Sequence, residues 1–287
     1  ENINSEYLIY QPTDAPTSGL LATYTGAAAA YSVRQLADTA VIAITVRRDS
    51  DDEEKRFGFD SNGDLDTTGI ADFCTTANGY VSQWWDQSTN GNHADQATDA
   101  SQPQIYNGTA VITENGKPAV DFDGSNDFFG SISVASSTAN TIATALSADT
   151  ISGIQKIFAR PNSSAGQMRI QNSNFRFTDY EASPTVASNA EVSASTSQSL
   201  VFGYVTNTNK TCRIGVNGGT FDTGVTLTKD LEIIGTAETD SKLASKRDGS
   251  AEYYNGKIQE FVLWTTDHGT SNRSGIETNI NTYFSIY

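Results

Sequence analysis

Asn-Gly and Asp-Gly dipeptides punctuate the chain, seven of them at Asn62-Gly63, Asn90-Gly91, Asn107-Gly108, Asn115-Gly116, Asp123-Gly124, Asn217-Gly218 and Asn255-Gly256. Tight hairpins need positive φ at their central positions, and Asn and Gly reach it with little steric penalty. A chain so supplied with two-residue turns favours antiparallel β-structure. The segments between the turns agree. Lys55-Arg56-Phe57-Gly58-Phe59, Ala119-Val120-Asp121-Phe122-Asp123, Met168-Arg169-Ile170, Phe175-Arg176-Phe177, Arg213-Ile214-Gly215-Val216 and Ile258-Gln259-Glu260-Phe261-Val262 alternate as half-buried strands do.

Two segments carry a different pattern. Gly26 to Ala37 sets four consecutive alanines before Tyr31, Val33 and Leu36, and the helix-forming strength of Ala predicts an N-terminal helix there. Ser271 to Phe284 opens on Ser and Asn capping candidates and spaces Ile276, Ile280 and Phe284 by four, which predicts a closing amphipathic helix. The Ser/Ala/Thr-rich stretches Ser131 to Ala148 and Ala182 to Ser199 are weakly patterned, open to loop or exposed strand. Residues 1 to about 20, with Pro12 and Pro16, read as an attachment extension ahead of one domain over 21–287.

With 34 acidic against 18 basic residues, the formal charge is −16. A surface of that sign repels phosphate backbones and anionic lipid, so nucleic acid is excluded as a partner and anionic membranes are disfavoured. No apolar run approaches the roughly 20 residues needed to span a bilayer. No signal peptide is visible in Glu1 to Asp14, and export stays open. Cys74 and Cys212 are the only cysteines, and two buried thiols are preferred over a bridge because Cys74 follows Phe73 in an apolar context. With only His93 and His268 besides, zinc and Ser-His-Asp chemistry have little to work with.

An ordered series of blocks runs from Ala30-Tyr31-Ser32-Val33-Arg34-Gln35-Leu36 through Val46-Arg47-Arg48-Asp49-Ser50-Asp51 and Asp72-Phe73-Cys74 to Trp84-Trp85-Asp86-Gln87-Ser88-Thr89-Asn90-Gly91-Asn92-His93-Ala94. It resembles the N-terminal part of the catalytic sandwich of fungal-type α-L-arabinofuranosidase B. Val120 to Asp127 and Gly256 to Leu263 resemble the laminin-G/concanavalin-like jelly-roll family. The combination is also similar to structural and adhesion proteins of tailed bacteriophages. That last resemblance implies a non-catalytic jelly roll on a virion surface, as head fibre, decoration or tail component, with other virion proteins and host cell-surface glycans as partners. A homo-oligomer is expected, because repeated display multiplies weak sugar binding. A secreted or cell-surface carbohydrate-active protein, hydrolase or binding module, is the alternative.

Glycoside hydrolysis needs two facing carboxyl groups. Asp179, Glu181 and Glu260 are the acids on strand-like segments, but the matched blocks carry no catalytic pair and no catalytic residue is assigned. For carbohydrate binding, Trp84 and Trp85 offer aromatic faces while Asp86, Gln87, Asn90 and Asn92 offer hydrogen bonds to hydroxyls. The opposing reading makes one Trp core and Asp86 with Gln87 loop caps, with His93 bonded inside the loop. Asp60 to Asp66 fails as an EF-hand because Leu65 and Ala71 stand where Gly and Glu belong, leaving an acidic-flanked hairpin. Asp121, Asp123 and Asp127 are the candidate ligands for Ca2+, weighed against simple solvation, and no cofactor is required. The acceptor patterns at Asn107, Asn162, Asn209 and Asn272 arise readily by chance in so Asn/Ser/Thr-rich a chain. The fold expected is an all-β antiparallel sandwich of jelly-roll type with an N-terminal and a C-terminal helix.

Overall fold

A computed structural model describes residues 18–135, 137–160, 166–178, 189–206, 210–222, 225–226 and 238–287. Nearly all of the expected extension, together with Asp179, Glu181, Asn162 and Asn209, lies outside them. A helical turn α1 (Leu20–Thr23) precedes β1 (Ala27–Ser32), β2 (Ile44–Arg48), β3 (Glu54–Phe57), helix α2 (Thr67–Cys74) and β4 (Asn78–Trp84). Short pieces follow: β5 (Ala94–Asp95), β6 (Gln104–Asn107), β7 (Thr113–Glu114), β8 (Lys117–Pro118) and β9 (Val120–Asp123). Then come β10 (Phe129–Val134), β11 (Ala139–Ala148), β12 (Ile154–Ala159), β13 (Gln167–Gln171), β14 (Asn174–Thr178) and β15 (Asn189–Ser193). The chain closes with β16 (Ser199–Thr206), β17 (Thr211–Val216), β18 (Val225–Thr226), β19 (Glu238–Leu243), β20 (Asn255–Trp264) and α3 (Arg273–Phe284).

Among the described residues every strand pairing is antiparallel. Strand β20 lies at the centre of one layer, with β11 on one edge and β1 and β9 end to end on the other. From β11 that layer runs on through β16, β17 and β18; from β9 it runs through β6, β4, β2 and β3. The second layer is β10-β19-β12-β13-β14-β15, and β5 joins the two by pairing with both β4 and β10. The result is a sandwich curled nearly into a barrel. Aromatic rings fill the space between layers, with Phe158 and Phe261 5.1 Å apart and Phe122 and Phe129 5.9 Å apart. At Gly203 of β16 an added Cβ would sit 2.5 Å from the Phe177 ring of β14, so the layers close only over a hydrogen.

All six expected strands are present. Six of the seven turn dipeptides place their glycine at φ between +66° and +79°. The seventh, Asn255-Gly256, starts β20; there a Cβ on Gly256 would lie 2.2 Å from the Ser147 carbonyl oxygen, so close backbone approach explains that glycine. Ala139–Ala148 of the weakly patterned stretch is a wholly buried central strand, which is why no alternation marks it. Cys74 and Cys212 are both buried and are not bridged to each other. Among the described residues no helix is long and apolar enough to cross a membrane.

The helix expected over Gly26 to Ala37 is not formed: Ala27–Ser32 is strand β1, and only the turn α1 before it is helical. Helix preference is worth less than about 1 kcal/mol per residue. Against it stands the open edge of β20, which β1 completes with Ala30, Tyr31 and Ser32 opposite Val262, Phe261 and Glu260. Ala29, Ala30, Tyr31 and Ser32 are all fully buried, and a short apolar run buried on both faces shows no period that separates strand from helix. The C-terminal helix forms as expected and buries Ile276, Ile280 and Phe284.

Just past β1, Arg34 crosses to Glu260 of β20. Its Nε and Nη2 donate to the two carboxylate oxygens at 2.7 and 2.9 Å, and the Ser32 hydroxyl donates to the same carboxylate at 2.8 Å. Glu260 is therefore wholly internal, which removes it from the candidate acids. The guanidinium also lies over the rings of Tyr283 and Phe284, docking α3. Arg34→Ala leaves Glu260 charged, buried and unpaired, so urea denaturation should show a loss of roughly 3–5 kcal/mol, much of it recovered in the Arg34→Met/Glu260→Met double variant.

Candidate functional site

The loop that follows β4 gathers the side chains expected to bind sugar, and it spends them on the protein itself. Trp84 is completely buried against Tyr31 and Phe129. The Asp86 carboxylate accepts from the backbone N–H of Ala30, Ser88 and Asn92 at 2.9, 2.9 and 3.0 Å and from the Ser88 hydroxyl at 2.7 Å. Burial pushes this carboxyl up, against those donors. Gln87 accepts from Leu36 N–H and donates to the carbonyls of Ser32 and Arg34. Asn90 and Asn92 donate to the carbonyls of Ala27 and Ala28 at 2.7 and 2.6 Å. His93 Nδ1 accepts from Asp86 N–H, and burial pushes the imidazole down, against the nearby Asp86 and Asp95.

These bonds do for the free edge of β1 what a neighbouring strand would do, covering it so that it offers no template to another chain. Trp85 lines neither cavity described below but braces two residues of one of them. Its indole N–H donates to Thr45 Oγ1 at 2.9 Å and the Arg56 guanidinium lies 4.8 Å from its ring centroid.

Two cavities lie on the outer face of the β3-β2-β4-β6-β9 region. Alternation along each strand sends Val46, Val81, Ile105, Val120 and Phe122 inward, where all are fully buried. The opposite parity forms a row that no sequence spacing reveals: Arg47 faces Tyr80, Tyr80 faces Gln104, Gln104 faces Asp121 and Asp121 faces Lys257. This row floors a polar cavity of about 500 Å3, walled by Asp49, Asp52, Asp99, Gln102, Asp123 and Asp127. Arg47 is held rigidly in it. Its guanidinium donates to Gln102 Oε1 and Asp52 Oδ1, each at 2.7 Å, and lies 5.2 Å from the centroid of half-buried Tyr80.

Of the three candidate calcium ligands, Asp123 turns Oδ1 back onto the N–H groups of Ser125 and Asn126. Asp127, only 7% exposed, accepts from Asp123 N–H through Oδ2. Burial, with Asp123 and Asp121 adding to it, pushes the Asp127 carboxyl up to about 7. Burial also raises Asp121, which Lys257 3.9 Å away pulls back down. The three aspartates share a cavity without converging: among the described residues no group of three or more His, Cys, Asp or Glu side chains is placed to hold a metal ion. Local spacing marks the aspartate trio in the sequence, whereas nothing local joins Arg47, Tyr80 and Gln104, which strand pairing alone brings together.

No family model matches the chain. No curated protein matches it either. Among solved structures, it is similar to a GH54 α-L-arabinofuranosidase soaked with a cyclic sulfate inhibitor, at TM-score 0.62 and 16% identity over 88% of this chain and 62% of that one. An arabinofuranosidase complexed with arabinofuranosyl-α-1,2-xylobiose overlaps at TM-score 0.61 and 17% identity, with the same coverage. The chain thus spans about three-fifths of their length, and the likeness establishes a shared β-sandwich fold. The Ruminococcus gnavus sialidase module CBM40, bound to α2,3-sialyllactose, overlaps more loosely, at TM-score 0.41 and 13% identity over 50% of this chain and 83% of that one.

Two outcomes follow from the geometry. The unfolded Asp127 carboxyl titrates near 3.8 and the folded one near 7, so between these values the folded state holds the extra proton. The penalty for charging it is absent below about pH 4, grows as pH rises and is complete above about 7. Asp127→Asn should therefore gain stability relative to the parent as urea denaturation is repeated from pH 4 to pH 8. Asp86→Ala strands four donors at the β1 edge and should cost roughly 3–5 kcal/mol by the same measurement.

Proposed function

We propose that the chain is a glycan-binding β-sandwich that acts without catalysis, and that the outer-face cavity is its binding site. The observation that carries this reading is the Arg47-Tyr80-Gln104-Asp121 row at the floor of a polar cavity of about 500 Å3. Sugars are recognised by planar, fixed hydrogen-bonding groups beside an aromatic ring, and the row supplies a guanidinium, an amide, a carboxylate and a phenol on a rigid sheet. Asp127 adds a carboxyl oxygen, Oδ1, that no protein group engages among the described residues. The fold shared with arabinofuranosidases supports a carbohydrate ligand.

Charge narrows the class. Six aspartates surround one arginine in a chain of net charge −16, so carboxylated, sulfated and phosphorylated glycans are repelled and neutral or amino-bearing ones are favoured. Display on a virion or cell surface is the setting we infer, on the sequence resemblance. A hydrolytic role is the second reading, favoured by Asp127 retaining a proton near neutrality beside the other carboxyl groups of the cavity.

A glycan array carrying neutral, amino, uronic and sialylated glycans tests this reading. Retention on neutral or amino glycans, weakened about tenfold by Tyr80→Ala, is the expected result. Retention confined to acidic glycans, or indifference to Tyr80→Ala, overturns it. Release of reducing sugar that is lost in Asp127→Asn moves the assignment to hydrolysis.

A further inference from the structure

We propose that the binding site continues across the same sheet face into a second lobe, so that the ligand is a chain of several sugars rather than one terminal residue. This rests on the glycan-binding reading above. A second row, Arg56-Thr45-Gln83-Asp95, crosses β3, β2, β4 and β5 and floors a cavity of about 840 Å3. Thr45 and Arg47 stand two residues apart on β2 with the same parity, so the floors of the two lobes are offset by only about 7 Å along one strand. Side chains of β2 and β4 contribute to both.

The wall between the lobes is a short strap, residues 96–102, and it is braced from both sides. Arg47 Nε donates to Gln102 Oε1 at 2.7 Å, Gln102 Nε2 donates to the Gln96 carbonyl at 2.9 Å, and Gln96 Nε2 donates to the Phe128 carbonyl at 2.9 Å. Gln102 lines the first lobe and Gln96 the second, so one hydrogen-bonded partition belongs to both. This partition is fixed in place, so a ligand chain that fills both lobes would pass over it with no rearrangement required of the protein.

The second lobe has the chemistry of a subsite for further sugar units. Val41 is 52% exposed and stands with Ile42 as an apolar wall, suited to the C–H face of a pyranose or furanose ring. Gln83 Nε2 donates to Asp95 Oδ1 at 2.6 Å, which fixes both groups and leaves Gln83 Oε1 and Asp95 Oδ2 to accept from hydroxyls. Arg56, held over the Trp85 ring, closes one end. The first lobe supplies most of the charge and the second supplies apolar contact, a division that a single sugar has no means to exploit.

Calorimetric titration of the full chain with glucose, N-acetylglucosamine and glucosamine oligosaccharides, each as a series from monosaccharide to hexasaccharide, tests the proposal. In the series that binds, the tetrasaccharide should bind at least about tenfold more tightly than the monosaccharide. Val41→Trp, which fills the second lobe from an exposed position, and Gln83→Ala should each abolish that gain and leave the monosaccharide Kd unchanged, while Tyr80→Ala weakens every length. Affinity independent of length, or a gain that survives both second-lobe variants, overturns the two-lobed groove and leaves the single-site reading standing. Absence of binding across all three series overturns both.

Discussion

Register is the constraint on which this molecule turns. In a strand the side-chain period is two, so a slip of one residue in the pairing of β2, β4, β6 or β9 would carry its polar set into the core and its apolar set into water. Val46 opposite Val81 is one pairing that prevents it, with Ile105, Val120 and Phe122 buried on the same face. The hydrophobic energy of that inner face, about 25 cal/mol per Å2 buried, therefore fixes which groups stand on the outer one. Arg47, Tyr80, Gln104 and Asp121 are aligned as a by-product of core packing, and that makes the outer face rigid.

A second dependence runs through β1. A strand of small residues gives little side-chain contact area with which to hold itself in place, so its position is secured along both edges. Strand β20 supplies the ladder on one side, and Asp86, Asn90 and Asn92 supply a substitute ladder on the other. Arg34 then couples the end of the same segment to Glu260 and to the rings of α3. A buried ion pair of this kind adds little net stability over an apolar replacement, but it penalises any arrangement that separates its partners. Its contribution here is to tie the docking of the C-terminal helix to the seating of β1.

Much of the fold was legible because its signals are local. Positive-φ turns announce themselves as Asn-Gly, and half-buried strands as alternation, so the antiparallel class and all six expected strands follow from short windows. The misreading of Gly26 to Ala37 came from the same locality: four alanines favour a helix in isolation, and only the vacant edge of β20, more than 220 residues away, favours a strand. The site was less legible. Asp121, Asp123 and Asp127 stood out because they are close in sequence, whereas Arg47, Tyr80 and Gln104 are joined only by pairing across β2, β4 and β6. Trp84 to Asn92 has a composition suited to sugar because the same amide and carboxylate groups that bind hydroxyls also bind an unpaired backbone edge. Composition alone does not separate those two uses; the position of β1 does.

The character of the outer face also bears on how such a protein would work. Groups fixed on a sheet lose little conformational freedom on binding, so the ordering cost that usually offsets a polar interface is small. Hydroxyls, however, exchange water for protein hydrogen bonds at a net gain of only about 1 kcal/mol each, which keeps a single shallow site weak. Affinity then grows either by extending the contact along the ligand or by presenting the site many times. The sheet face provides for the first in its second lobe. A net charge of −16 opposes non-specific association between copies held close together, which suits the second. Both routes ask the protein for a stiff scaffold rather than a mobile one, and the braced β1 edge, the strap at residues 96–102 and the core-pinned register each supply part of that stiffness.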